Sequence, residues 1–216
     1  MTWEQYAVAW SALHGGFDPR AASPVVRGWV RLAYRGGSLL ARLGAGPTAV
    51  TAAGLLLCAG VPFVPLLAGA VLVLLASFAD ALDGAVAVVA GRTSRLGFVY
   101  DSVADRLGEL AWLAAFWVAG APGWLVVAGL AVSWLHEYVR ARAAAGGMTG
   151  LGVVTVGERP TRVSVAISGL LIGGVAGLVH PGWDETVVVV AVIVWVALGL
   201  IGLAQLLTAV RRALID

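Results

Sequence analysis

The sequence predicts an all-α, polytopic membrane protein, and its composition, its hydropathy and its distribution of charge support this prediction. The chain has 216 residues, of which 60% are hydrophobic and 12% are charged, and its mean hydropathy is +0.93. A soluble domain averages about 25% charged residues. The single cysteine excludes a disulfide framework within the chain and a cysteine-based metal site. With a formal net charge of only +2, the chain is not expected to bind nucleic acid.

Apolar runs divide the chain into an N-terminal segment and a six-helix transmembrane domain. A membrane-spanning helix needs about 20 residues. Runs of that order predict six spans, at 47–64, 66–90, 97–119, 123–143, 161–180 and 186–208. We therefore expect two regions, residues 1–46 and residues 47–216. The first twenty residues do not resemble a cleavable signal peptide, since they lack a long apolar core.

The N-terminal segment contains a predicted amphipathic helix at residues 21–44. Its apolar side chains recur at helical spacing and share one face: Val25, Trp29, Leu32, Leu39 and Leu43. Arginines occupy the opposite face, at Arg27, Arg31, Arg35 and Arg42. This pattern is typical of a helix that lies in the membrane interface, with its arginines near anionic headgroups. The alternative is an ordinary cytosolic helix.

The arginines predict the orientation of the spans. In a six-helix topology all fourteen arginines fall in the segments on one side, and the three connections on the other side contain none. By the positive-inside rule that side is cytoplasmic. Both termini are therefore expected in the cytoplasm of a multi-pass cell-membrane protein. Most of the tryptophans of the later helices are interpreted as interface or lipid-facing residues, within the set Trp112, Trp117, Trp124, Trp134, Trp183 and Trp195.

Four aspartates interrupt the second and third predicted spans near the cytoplasmic side. Asp80 and Asp83 share a helix face, and Asp101 and Asp105 share a face of the next helix. A carboxylate costs about 2.5–3.5 kcal/mol at the centre of a membrane helix, so such a cluster indicates a functional site. Oxygen ligands favour hard cations such as Mg²⁺, Mn²⁺ or Ca²⁺, and paired ions serve phosphoryl chemistry. The alternatives are interface salt bridges with nearby arginines and an ion or proton pathway.

Glycine and alanine at helical spacing complete a specific motif. The chain matches seven of the eight fixed positions of the pattern D-x2-D-G-x2-A-R-x8-G-x3-D-x3-D, through Asp80, Asp83, Gly84, Ala87, Gly97, Asp101 and Asp105. This pattern resembles that of the CDP-alcohol phosphotransferases. Residues 46–51 resemble the family's P-N/D-x-V-T segment. At the remaining position the family has arginine where this chain has Val88; Arg92 or Arg95 could take its place.

The resemblance implies a phospholipid-synthesising transferase. Its donor would be a CDP-alcohol such as CDP-diacylglycerol, and an acceptor hydroxyl would attack the β-phosphorus with release of CMP. The family implies two ions, Mg²⁺ or Mn²⁺, held by Asp80, Asp83, Asp101 and Asp105, with Asp105 also acting as the general base. It implies nucleotide contacts from Thr48, Thr51, Gly84, Ala87, Ser94 and Gly97. A homodimer is likewise expected from the family alone.

A second resemblance concerns the acceptor. The segments Arg140-Ala-Arg142 and Glu158-Arg159-Pro-Thr-Arg162 resemble those of the phosphatidylinositol phosphate synthase branch. The resemblance implies that Arg140, Arg142, Arg159 and Arg162 bind the acceptor's phosphate; on their own they would be equally well interpreted as positive-inside anchors. That branch has a further arginine in its last helix, where this chain has Leu206. Inositol phosphate and glycerol phosphate are the expected acceptors, with a catalytically impaired binding homologue and a cation transporter as alternatives.

Overall fold

The computed structural model describes residues 1–148 and 154–215 and builds them almost entirely from helices. Within these residues there is no β-strand, and one short 3₁₀ turn covers Val61–Phe63. The eight α-helices are α1 Trp3–Leu13, α2 Pro24–Arg42, α3 Pro47–Gly60, α4 Leu66–Val89, α5 Arg95–Val118, α6 Gly123–Ala145, α7 Arg159–Val179 and α8 Trp183–Ile215. The all-α prediction is confirmed.

Each of the six predicted spans coincides with one of the helices α3 to α8. Three of these, α4, α7 and α8, are long and apolar enough to cross a membrane by length and composition. A fourth candidate arises if α2 and the segment Pro47–Phe63, which are bent by 117° at their junction, count as one broken span. The 14 residues of α3 are fewer than the roughly 20 that a straight span needs. Charged residues reduce the apolar character of α5 and α6.

Local sequence explains where the first helices begin. The Thr2 hydroxyl accepts a hydrogen bond from the Gln5 backbone N–H, and the Gln5 side chain accepts one from the Thr2 N–H. This reciprocal capping box satisfies two N–H groups that a helix start leaves without partners. The Ser23 hydroxyl caps α2 by accepting a hydrogen bond from the Val26 N–H, and Pro24 stands at the first helical position, where it costs no hydrogen bond.

The chain forms two compact units. The first comprises Met1–Leu57 and Leu75–Asp105, and the second comprises Cys58–Leu74 and the residues from Arg106 onward. The helices α4 and α5 contribute residues to both units. We describe each unit by itself.

In the first unit, α1 and α2 pack on the C-terminal half of α4. The buried core contains Tyr6 from α1, Val30 and Ala33 from α2, and Ala85 and Val88 from α4. The approach of α2 to α4 is close, because a Cβ built on Gly37 would lie 2.6 Å from the Ala85 Cβ. The side of α2 that packs against protein is therefore its small-residue side.

The predicted apolar face of α2 lies on the surface of the protein. Val25 is 81% exposed, Leu39 58% and Leu43 73%. The arginines on the opposite face are exposed as well. This helix is amphipathic, and its exposed stripe is available to contact something other than the chain.

In the second unit, α8 packs against α6 and α7. Its large buried side chains include Trp112, Phe116, Leu170 and Trp195. The interpretation of Trp112 and Trp195 as interface or lipid-facing residues was therefore wrong: they are 0% and 2% exposed, and the Trp195 indole donates a hydrogen bond to the Ser133 hydroxyl at 2.8 Å. Buried indoles usually find such a partner. The other four tryptophans of that set are exposed.

The segment before α7 lies directly against α8. A Cβ built on Gly202 would approach the Cα of Gly157 to 2.6 Å and the Thr155 hydroxyl to 3.3 Å. The backbone N–H of Val156 also donates to the Gln205 side chain at 3.0 Å. Glycine at 202 allows this contact between the segment and the helix.

Candidate functional site

The aspartates converge in the first unit. Carboxylate oxygens of Asp80 on α4 and of Asp101 and Asp105 on α5 all lie within 4.8 Å of one another, and the three residues are partly buried. Two properties of the sequence bring them together. The four-residue spacing stacks Asp101 above Asp105 on one face of α5, and the connection from Ala90 to Ser94 is short.

The fourth aspartate has a different environment. Asp83 is only 6% exposed, and the Thr51 hydroxyl of α3 donates a hydrogen bond to its Oδ2 at 2.5 Å. Asp83 follows Asp80 by three residues, so both belong to the same side of α4. Thr51, which is predicted to contact the nucleotide, therefore also fixes the orientation of the Asp83 carboxylate.

A cavity of about 780 Å³ in the first unit contains most of the predicted site residues. Three of the aspartates line it: Asp80, Asp83 and Asp101. All six predicted nucleotide contacts line it as well, namely Thr48, Thr51, Gly84, Ala87, Ser94 and Gly97. Arg92 lines the same cavity. It is one of the two arginines suggested to replace the family's arginine, which is absent at Val88.

The two glycines of the motif are required for different structural reasons. A Cβ built on Gly84 would meet no atom within 4 Å, so the open space beside it lies in the cavity and not in the packing. A Cβ on Gly97 would lie 3.0 Å from the Ser94 hydroxyl, which itself accepts a hydrogen bond from the Gly97 N–H. Gly84 therefore leaves room for a ligand against the helix backbone, whereas Gly97 also lets Ser94 cap α5.

The aspartate cluster fits a divalent metal. Three carboxylates so close together repel one another unless positive charge lies between them. Their oxygens are the ligands that Mg²⁺ and Mn²⁺ prefer. Asp80, Asp101 and Asp105 are the residues that could share such an ion, and Asp83 lines the adjoining cavity.

The predicted acceptor arginines lie in the second unit and have varied partners. Arg140 forms an ion pair with Glu158. Arg162 is 4% exposed, and its guanidinium lies 2.9 Å from Glu109 and 2.5 Å from Glu137. Arg142 is exposed, and Arg159 is partly buried.

The structure adds partners to Arg162 that the sequence did not predict. Arg106 lies 3.1 Å from Glu109 and 3.3 Å from Glu137, and Arg162 completes a network of two arginines and two glutamates. Nearby, His136 hydrogen-bonds the Thr155 hydroxyl at 2.9 Å. The available signal was Glu109, an acidic residue inside an otherwise apolar stretch of α5.

Sequence reasoning also missed the part of the cavity wall contributed by α1 and α2. Trp10, Leu13 and His14 line the cavity, together with Trp29 and Val30 of α2. The aromatic residues of the N-terminus were visible in the sequence, but no pattern linked them to the aspartates.

Comparisons with known proteins agree with this geometry. The sequence model of the CDP-alcohol phosphatidyltransferase family matches residues 46–210. The phosphatidylinositol phosphate synthase of Mycolicibacterium smegmatis is 41% identical over 110 residues, which are 47% of this chain and 48% of that protein. The alignment thus spans about half the length of that relative.

Two solved structures of the Mycobacterium tuberculosis phosphatidylinositol phosphate synthase are similar in fold. One, with CDP-DAG bound, has a TM-score of 0.69 and 29% identity and covers 86% of this chain and 98% of its own. The other, in complex with manganese and citrate, has a TM-score of 0.69 and 26% identity, with 85% and 92% covered.

Proposed function

The chain belongs to the CDP-alcohol phosphatidyltransferase family, and on that premise we propose that it transfers the phosphatidyl group of CDP-diacylglycerol to inositol phosphate and releases CMP. The observation that carries the proposal is the convergence of Asp80, Asp101 and Asp105 beside a cavity that the predicted nucleotide contacts line. The similar structures with CDP-DAG and with manganese, and the name of the M. smegmatis relative, support the same donor, metal and acceptor.

The four aspartates hold the metal, which we propose to be two Mg²⁺ or Mn²⁺ ions. Bound there, the ions would neutralise the diphosphate and stabilise the charge that develops on the leaving phosphate. Thr51 holds the Asp83 carboxylate in one orientation through its hydrogen bond. The open space beside Gly84 receives the nucleotide against the backbone of α4.

Asp105 is proposed to accept the proton of the attacking hydroxyl. The oxygen of the acceptor forms a bond to the β-phosphorus, and the bond from that phosphorus to the bridging oxygen breaks. The products are a phosphodiester and CMP. A carboxylate is a weak base for an alcohol. General-base catalysis increases a reaction rate by about 10²–10⁴-fold, so Asp105 accounts for part of the rate enhancement.

Arg140, Arg142, Arg159 and Arg162 are proposed to provide the positive charge that attracts the acceptor's phosphate. Arginine suits this task because its planar fork binds phosphate oxygens in pairs. Arg142, which is exposed, is the member most accessible to a soluble acceptor. Arg162 is engaged with two glutamates, and we assign it a supporting part.

We propose that α3 to α8 form six spans in the cell membrane, with both termini and the aspartates on the cytoplasmic side. The one-sided distribution of arginine supports this orientation. The exposed apolar stripe of α2 supports an interfacial position for the N-terminal segment, residues 1–46, ahead of the catalytic region 47–216. A homodimer remains an expectation, which light scattering of the purified protein would measure.

The experiment is a CMP-release assay on purified protein with CDP-diacylglycerol, Mg²⁺ or Mn²⁺, and a panel of acceptors. We expect metal-dependent release with inositol phosphate. Preference for glycerol phosphate would overturn the proposed acceptor and leave the proposed transfer reaction unchanged. Donor binding without release for any acceptor would favour the impaired homologue, and metal flux in proteoliposomes without release would favour a transporter.

A further inference from the structure

The ion pair between Arg140 and Glu158 in the second unit belongs to a longer chain of hydrogen bonds. Glu158 Oε1 accepts from the Arg140 guanidinium, from the Thr155 backbone N–H at 3.1 Å and from the Thr155 hydroxyl at 3.2 Å. His136 Nε2 lies 2.9 Å from the same hydroxyl oxygen. His136 and Arg140 are four residues apart on one face of α6, so the chain begins and ends on that helix.

The chain has one direction of donation. A carboxylate can only accept, so the single hydrogen of the Thr155 hydroxyl points to Glu158. The hydroxyl oxygen then accepts from His136, whose Nε2 carries a hydrogen. Thr155 is 4% exposed and His136 is 1% exposed. Buried groups therefore hold the Glu158 carboxylate in place.

Glu158 does not serve the helix that it begins. It is the N-cap residue of α7, yet its side chain makes no capping hydrogen bond. A capping side chain would accept from an N–H group in the first turn of the helix. The carboxylate accepts instead from Arg140 and Thr155, so its role concerns Arg140 rather than the start of α7.

The two arginines at the end of α6 differ in how they are held. Arg142 is exposed, whereas the side chain of Arg140 is 26% exposed and is fixed by the Glu158 carboxylate. A side chain that is already ordered loses less conformational freedom when it binds a ligand. A guanidinium has five N–H donors, so it can contact a carboxylate and a phosphate together.

We propose that Glu158 is a positioning residue for the acceptor. It orients the Arg140 guanidinium toward the acceptor's phosphate, and Thr155 and His136 hold Glu158 in place; this rests on the proposed function, in which Arg140 attracts that phosphate. The carboxylate itself repels a phosphate. Removal of its charge therefore weakens acceptor binding if Glu158 positions Arg140, and strengthens binding if Glu158 only competes for it.

The test combines binding with steady-state kinetics on the purified full-length protein. Titration calorimetry with inositol phosphate gives the Kd, and CMP release gives separate KM values for inositol phosphate and CDP-diacylglycerol. The variants are Glu158→Gln, Thr155→Val and the conservative Thr155→Ser. Glu4→Gln is the matched control, since it also removes a carboxylate that pairs with an arginine, Arg20. Melting temperatures are recorded for all of them.

Glu158→Gln is expected to raise both the Kd and the KM for inositol phosphate about tenfold, the effect of one charge-assisted hydrogen bond, and to leave the KM for CDP-diacylglycerol unchanged. Thr155→Val should raise the acceptor KM about threefold, with Thr155→Ser close to the wild type. A purely structural role would lower the melting temperature and the active fraction without changing either KM. If Glu158→Gln does not fold, Thr155→Val against Thr155→Ser makes the same comparison.

An unchanged or lower acceptor KM in Glu158→Gln would overturn the proposal, as would an equal rise in the KM for CDP-diacylglycerol or in Glu4→Gln. Failure of the proposed function has a different signature, because the wild type would then release no CMP with inositol phosphate. Titration would still decide whether Glu158 affects phosphate binding. A wild type that does not bind inositol phosphate would contradict the positioning role.

Discussion

Two groups of acidic residues in this protein occupy similar helices, and one is a cluster of carboxylates whereas the other is an ion-pair network. In the first unit, oxygens of Asp80, Asp101 and Asp105 lie within 4.8 Å of one another. In the second unit, Glu109 and Glu137 lie within 3.3 Å of arginine nitrogens.

The difference shows how to distinguish a functional acid from a structural one. The network in the second unit contains two glutamates and two arginines, so its formal charge is balanced within the protein. The cluster in the first unit brings three carboxylates of like charge together beside a cavity, an arrangement that suits a bound cation. We therefore expect substitutions in the first group to affect chemistry and substitutions in the second to affect stability.

The largest expected effect is the loss of transfer in Asp105→Asn. The amide cannot accept the hydroxyl proton, so CMP release should fall about a thousandfold or more, within the range of general-base contributions. CDP binding should largely survive. The CMP-release assay measures the first quantity and titration calorimetry the second, with Asp184→Asn in the second unit as control. Undiminished turnover would remove Asp105 from its role.

Glu109→Gln tests the prediction that the acidic residues of the second unit affect stability. Glu109 is 0% exposed and faces Arg106 and Arg162. Removing one partner of a buried pair costs about 3–5 kcal/mol, and here it leaves two arginines facing one glutamate. We expect a clear fall in melting temperature, with the CDP affinity of the folded fraction retained. The double variant Glu109→Gln, Arg162→Met should recover part of the stability. A fully stable single variant would contradict a structural role for Glu109.

Val88→Arg tests whether the apolar cluster that holds α1 tolerates a charge. Val88 is 7% exposed in the cluster that holds Tyr6. Burying a charge there should lower stability by about 2 kcal/mol and expose α1 to protease. Thermal unfolding and limited proteolysis measure these effects, and Val88→Leu is the apolar control. A faster enzyme of unchanged stability would show instead that position 88 limits the reaction.

The smallest expected effect concerns Thr51→Val. The variant removes the hydrogen bond to Asp83 while keeping the shape of the side chain. Loss of such an orienting partner typically weakens metal binding about tenfold. Electron paramagnetic resonance of bound Mn²⁺ would measure this, with Thr51→Ser expected to retain the affinity. Equal Mn²⁺ affinity in Thr51→Val would mean that Asp83 does not depend on Thr51.

The aspartate cluster could be predicted from the sequence because it depends on local geometry. A three- or four-residue spacing fixes which side chains share a helix face, and a short connection makes α4 and α5 neighbours along the chain. The cavity wall formed by α1 could not be predicted in this way. Its position depends on the apolar cluster around Tyr6, which joins residues more than eighty positions apart.

Hydropathy also failed to separate two kinds of apolar environment. Trp112 and Trp195 are buried in protein, whereas Trp117 and Trp124 are 61% and 74% exposed. All four lie in predicted spans, and a lipid tail and a protein core favour the same side chains. Only packing distinguishes them. The Glu109 network was missed for a similar reason, because Arg162 and Glu137 come from other helices and only Arg106 is a neighbour of Glu109 in the sequence.

The contact between Gly202 and the segment at Gly157 makes residue 202 a site for temperature-sensitive substitutions. A single methyl group at residue 202 would push against that segment, which also carries Thr155, and Thr155 hydrogen-bonds both His136 and Glu158. Gly202→Ala would therefore leave every aspartate intact and loosen the second unit. Such a variant should keep its fold at low temperature and lose it at a lower temperature than the wild type, which would give a temperature-sensitive form of the protein with an unaltered aspartate cluster.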